Sequence, residues 1–169
     1  MNAQDMIEAA RLTRVRELQT ALAKAAAENR RLQEENAELL AHFDLAVLAA
    51  GDLASLPEDG KLVVVDGWNM ILGAQKEARD RADLIEQAKA HVIEHPSDFV
   101  WIVLDGPRQS SHVDGRVRVT YTGGKGAHRA DRFICDFLRM ARFKGELSRI
   151  EVRTNDKDFI KEVKRLRNG

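Results

Sequence analysis

Two aliphatic runs, Leu62-Val63-Val64-Val65 and Phe99-Val100-Trp101-Ile102-Val103-Leu104, each stop on an Asp-Gly pair. A half-exposed strand alternates apolar and polar residues. These runs do not, so both read as strands covered on both faces, as in the sheet of an α/β protein. Ligands of such sheets collect outside the carboxyl ends of the strands. Asp66, followed by Gly67-Trp68-Asn69, and Asp105, followed by Gly106, are therefore expected at one rim. Two buried strands delivering carboxylates to one edge suggest a divalent-metal site.

The segments around them complete an α/β pattern. The first strand is expected over residues 61–66 and the second over 99–105. Between them, Leu84, Ile85, Ala88, Val92 and Ile93 mark a helix over 74–94, which must end before Pro96. Past Gly106-Pro107, the alternation of Val117, Val119 and Tyr121 predicts a third strand over 116–122. Gly123, Gly124 and Gly126 then break the chain before a helix over 128–143, whose buried side is Ala130, Phe133, Ile134, Phe137, Leu138 and Ala141. A fourth strand over 149–154 and a basic terminal helix follow.

The first 56 residues differ in kind, with no proline and one glycine. With Leu18 at d, the d series is Leu18, Ala25, Leu32, Leu39, Ala46 and the a series Val15, Leu22, Asn29, Asn36, Phe43. A seam sustained this long argues for a coiled coil. Asparagine at a is best satisfied by its twin, which points to a parallel homodimer through residues 11–48. Glu28 and Glu35 at g face Gln33 and Leu40 at e, so association should be moderate. Residues 51–60, with Pro57 and Asp59, read as a linker, dividing the chain into a helical segment, 1–56, and a globular domain, 57–169. The lone Cys135, in an apolar run, excludes an internal disulfide and fits a reducing compartment. Without a signal-type apolar start or a membrane-length apolar stretch, a soluble cytoplasmic protein is expected.

Four aspartates fall where such a sheet would gather them: Asp66 and Asp105 at strand ends, Asp131 in the first turn of a helix, and Asp156 after the fourth strand, with Asp158 two residues on. Clustered carboxylates repel and are costly to desolvate, so a cation normally accompanies them. Oxygen-only ligands suit Mg2+ or Mn2+. Each acid also has a local reading. Asp105 could open a turn, Asp131 could answer the helix dipole, and Asn155 or Asp156 could cap the last helix.

The segment from Val63 to Ile71, reading Val-Val-Val-Asp-Gly-Trp-Asn-Met-Ile, resembles the opening signature of NYN domains, a branch of the PIN-like nucleases, and particularly of the YacP-like endoribonucleases. The similarity continues through Ile102-Val103-Leu104-Asp105, the strand from Arg116 to Thr122, Ala130-Asp131-Arg132-Phe133-Ile134 and Thr154-Asn155-Asp156, covering residues 61–160 in order. The resemblance implies a PIN-like three-layer fold with a mainly parallel central sheet. It makes Asp66, Asp105, Asp131 and Asp156 the metal-holding, catalytic acids, with Asn69 ordering the first loop. The implied activity is metal-dependent endonucleolytic cleavage of single-stranded RNA. His128 stands where such relatives usually carry an acid, which weakens the metal charge count; it could favour Mn2+, contact phosphate or shuttle a proton. The heptad segment lies outside the similarity.

The net charge is zero, so a nucleic-acid surface has to be local. Between Gly106 and Arg149 ten basic residues face four acidic ones. Lys125 and Arg129, beside the glycine-rich loop, are placed to meet phosphates, with Arg108 and His112 in the preceding loop adding to the groove. Trp68 offers a face for base stacking or else belongs to the core. Two linked sites in a dimer could engage one RNA or a ribosome-sized particle with avidity. The main rival is a catalytically silent PIN-like RNA-binding or adaptor module. A haloacid-dehalogenase-like phosphatase also starts from a strand-end Asp but wants a second Asp where Trp68 stands.

Overall fold

The computed structural model describes residues 3–72, 77–124 and 128–168. Contacts divide the chain into two compact units, one up to Leu40 and one from Ala41 onward. Helix α1, Ala3–Ala54, supplies the described residues of the first unit and the opening turns of the second.

In the first unit the seam is open. Val15, Leu18, Leu22, Leu32 and Leu39 are 45–72% exposed. Around it lie ion pairs within the helix, among them Arg31 with Glu28 at 2.7 Å and with Glu35 at 2.9 Å. A polar helix of this length draws little stability from such exposed, solvent-screened pairs.

The second unit is a five-stranded sheet in the order β3-β4-β2-β1-β5, with helices on both faces. Its strands are β1, Leu62–Asp66; β2, Phe99–Leu104; β3, Gln109–Asp114; β4, Val117–Thr122; and β5, Ile150–Arg153. The β1-β2, β1-β5 and β2-β4 pairs are parallel and β3-β4 is antiparallel. Every residue of β1 and β2 is buried. Leu62, Val64, Trp101 and Val103 face helix α4, Arg129–Phe143, and helix α5, Lys157–Asn168, while Val63, Val65, Ile102 and Leu104 face helix α2, Gly67–Leu72, and helix α3, Arg81–Glu94. Trp101 anchors the first face. Its ring meets Phe133 and Phe137 edge-on, with centroids 5.2 and 5.1 Å away, and its Nε1–H donates to Thr120 Oγ1 at 2.8 Å.

Several expectations need correction. The supposed linker begins inside α1, because Leu53 and Leu56 are buried in the core and Asp52 is bound by Arg118 through Nε at 2.6 Å and Nη2 at 2.9 Å. Ala46, the last d position, is turned into that core beside Leu45 and Ala49, so the open seam ends before it. An extra strand, β3, pairs with β4 across a turn at Gly115, whose φ is +59°. The glycine turn after Asp66 is helix α2. Helix α3 starts at Arg81 rather than 74, with the Asp80 carboxylate accepting from the Asp83 N–H at 2.9 Å. Part of the earlier stretch, residues 73–76, lies outside the described residues. Among the described residues no helix is long and apolar enough to cross a membrane.

Candidate active site

From β1 the chain runs outward to β2 and β4 on one side, then returns to β5 on the other. The direction of winding therefore reverses at β1, and the crevice expected for ligands lies at its carboxyl end. Asp66 is the residue there, and it is 2% exposed. Its Oδ2 accepts from the Asn69 side-chain amide and from Thr154 Oγ1, the latter at 2.9 Å. Burial pushes its carboxyl from the ordinary 3.8 up to about 6; the bonds from Asn69 and Thr154 pull it back, and the charge of Asp131 adds to the rise.

Thr154 connects two strand ends, donating to Asp66 and accepting the Asp156 N–H at 3.2 Å. Asp156 in turn caps α5, its Oδ1 accepting from the N–H groups of Asp158 at 2.8 Å and Phe159 at 3.2 Å. Asp105, beyond the end of β2, accepts at Oδ1 from the Ala130 N–H at 2.6 Å and from Thr122 Oγ1 at 3.2 Å. It therefore holds the first turn of α4, the turn that presents Asp131. Asp131 Oδ2 lies 3.0 Å from Nδ1 of His128. His128 adopts a left-handed conformation, φ 60°, at the start of α4, and is the one non-glycine residue with positive φ among those described. Such a backbone costs of order 1 kcal/mol and tends to be kept where a site needs it.

All four acids thus lie at one rim, each bonded to the local frame. Asp131, Asp156 and His128 also line a cavity of about 630 Å3 between α4 and α5. Among the described residues, no three His, Cys, Asp or Glu side chains are close enough to share one metal ion. Asp156 caps the last helix as the sequence allowed, Asp105 holds the start of α4 rather than simply opening a turn, and the charge of Asp131 adds to the rise at Asp66.

The remaining candidates separate. Trp68 is not a core residue: it is 38% exposed, with its Nε1–H held by the Asp105 carbonyl at 2.8 Å. Arg108 is exposed. Arg129, the first residue of α4, is 3% exposed, and its guanidinium lies so close to Gly124 that a Cβ there would fall 2.4 Å from Cζ. Lys125 lies outside the described residues. Thr154 opens the Thr154-Asn155-Asp156 triplet that marks the strand end, but nothing local in the sequence marks it as the partner of Asp66. The buried side-chain nitrogen of Asn155, beside it, meets no acceptor among the described residues. Compared with protein-family models, with curated proteins and with solved structures, the chain finds no match.

Proposed function

We propose that the protein is a metal-dependent endoribonuclease of NYN/PIN-like type acting on single-stranded RNA. The observation that carries this reading is Asp66: a nearly inaccessible carboxylate at the switch point of the sheet, raised to about 6 with a second carboxylate, Asp131, contributing. A hydrated cation would relieve both the burial and the repulsion. The oxygen donors of Asp66 and Asp131 fit Mg2+ or Mn2+, which keep several waters and take one or two carboxylates together with substrate phosphate oxygens. When bound, such an ion supplies charge stabilisation at a phosphodiester and makes water a better nucleophile. In this account Asp66 and Asp131 hold the cation, Asn69 and Thr154 fix the Asp66 carboxylate, and Asp105 places Asp131 by gripping the start of α4. The free donor of Asn155 stands ready for a phosphate oxygen or water, and His128 is available to move a proton.

Incubation of an unstructured RNA with the full chain tests the reading. Cleavage is expected with Mg2+ or Mn2+ and should stop with EDTA. The helix-capping roles of Asp105 and Asp156 favour one alternative, a silent RNA-binding or adaptor module. Binding without cleavage under any divalent ion would establish that alternative and reject the enzyme.

The open seam of the first unit supports a parallel homodimer, with Asn29 and Asn36 pairing across it. Sedimentation of the full chain at micromolar concentration should give a dimer, and Leu22→Glu with Leu32→Glu should give a monomer of unchanged fold. A full-length monomer would rule out the zipper.

A further inference from the structure

The rim has two approaches of opposite character. On the α4–α5 side, five carboxylates line the cavity against two arginines, Arg132 and Arg139, and Arg139 is already engaged by Asp136 at 2.6 Å and Glu162 at 3.6 Å. A polyanion gains little there, since its affinity rests on cations free to neutralise phosphates. On the α2–α3 side the composition changes. Trp68 is half-exposed and fixed by its bond to the Asp105 carbonyl. Tyr121, at the end of β4, packs against the next residue: a Cβ on Gly106 would fall 2.7 Å from Tyr121 Cδ1. Both aromatic residues therefore border the same two-residue segment, directly beside the Asp105 carboxylate. Arg81, in the first turn of α3, donates from Nη1 to the Tyr121 hydroxyl at 2.7 Å. Arg81 and Arg108 are exposed, and among the described residues neither is paired with a carboxylate.

We propose that Trp68 and Tyr121, flanked by Arg81 and Arg108, form a subsite for an unpaired nucleobase and its adjoining phosphates, so that single-stranded RNA reaches the acidic rim from the α3 side and not through the α4–α5 groove. This rests on the ribonuclease reading and gives it a direction. Aromatic faces accept any base, and a base can reach them only when it is unstacked, which selects single strands over duplex. The hydrogen bonds at Trp68 Nε1 and Tyr121 Oη hold the rings by their polar edges. A strand gripped by two arginines and two rings would pass Asp105 before reaching Asp66 and Asp131.

The test is binding of a fluorescent single-stranded 10-nucleotide RNA to the full-length chain, carrying Asp66→Asn so that the RNA survives. Trp68→Ala should weaken binding about tenfold and Arg81→Ala about threefold to tenfold. Trp68→Phe, which keeps a stacking face, should retain most of the affinity. Arg139→Ala, in the groove, should bind as the parent does, and a duplex of the same sequence should compete poorly. Equal loss with Trp68→Phe and Trp68→Ala would overturn the stacking role, since only a structural hydrogen bond would then be at stake. Unchanged binding in the patch variants, or a loss confined to Arg139→Ala, would overturn the subsite and leave the ribonuclease reading intact. Failure of both the wild type and Asp66→Asn to bind any single strand would remove that reading itself.

Discussion

Under the proposed ribonuclease reading, Asp66→Asn should lower RNA cleavage by at least about a hundredfold while making the protein more stable at neutral pH. The proposed reaction would lose a charge held at a fixed place, an effect commonly worth about 10²–10³ in rate for a single preorganised group. The gain follows from the same burial. The Asp66 carboxyl is raised from 3.8 to about 6, with burial the largest cause. A group raised in the folded state binds its proton more tightly there than in the unfolded chain. Its favourable contribution is complete below the unfolded value and disappears as pH rises through about 6. At pH 7.5 the wild type bears an ionised, buried carboxylate at a cost of at most about 3 kcal/mol. Asparagine avoids that charge but matches the bonds from Asn69 and Thr154 less well, so a net gain of about 1–2 kcal/mol is expected. Urea melts at pH 7.5 and pH 4 measure it: the advantage should be present at the higher pH and nearly absent at the lower. A variant less stable than wild type by the same amount at both would mean that Asp66 is simply a well-satisfied structural carboxylate.

The second large effect lies away from the site, at the Arg118–Asp52 pair. Both side chains are mostly buried, 12% and 14% exposed, and the guanidinium engages both carboxylate oxygens. The pair fastens the last turns of α1 to β4, beside the core cluster that holds Leu53 and Trp101. Removing one partner of such a pair leaves the other charged and poorly hydrated. Arg118→Ala should therefore cost about 2–4 kcal/mol, with a fall of roughly 10 °C in Tm. Arg118→Lys should fall between, because a lysine cannot reproduce the two-pronged geometry. Replacing both partners together, with Asp52→Leu and Arg118→Met, should recover much of the loss. An Arg118→Ala protein within about 0.5 kcal/mol of wild type would show that apolar packing alone holds the helix end.

What could be seen in the sequence divides along physical lines. β1, β2, β4, β5 and α4 fall within a residue or so of expectation, because aliphatic runs and helical spacing report burial directly. β3 was invisible: Gln109-Ser110-Ser111-His112-Val113-Asp114 is nearly all exposed, and it is a strand because β4 offers a free edge across the Gly115 turn. Helix α2 is six residues long, too short to show a period. The end of α1 was masked by Gly51 and Pro57, while the contacts that carry the helix to Ala54 come from residues more than sixty positions away. The site divides in the same way. Acids at strand ends and helix starts are local features, so the sequence places Asp66, Asp105, Asp131 and Asp156 by element, whereas the convergence of all four on one ion is not something it can show. Which oxygen meets which donor is a matter of tertiary contact. Thus Thr154 as the partner of Asp66, the inward turn of Arg129 and the Arg81–Tyr121 bond had no signature along the chain.

In the proposed site the Asp66–Asp131 pair receives a divalent cation, and thermal unfolding at pH 7.5 with increasing Mn2+ measures that binding. The wild type should be stabilised with saturation, by roughly 5 °C or more at high occupancy, while Asp66→Asn, already relieved of its buried charge, should respond little. Equal shifts in the two proteins, or none in either, would contradict the account.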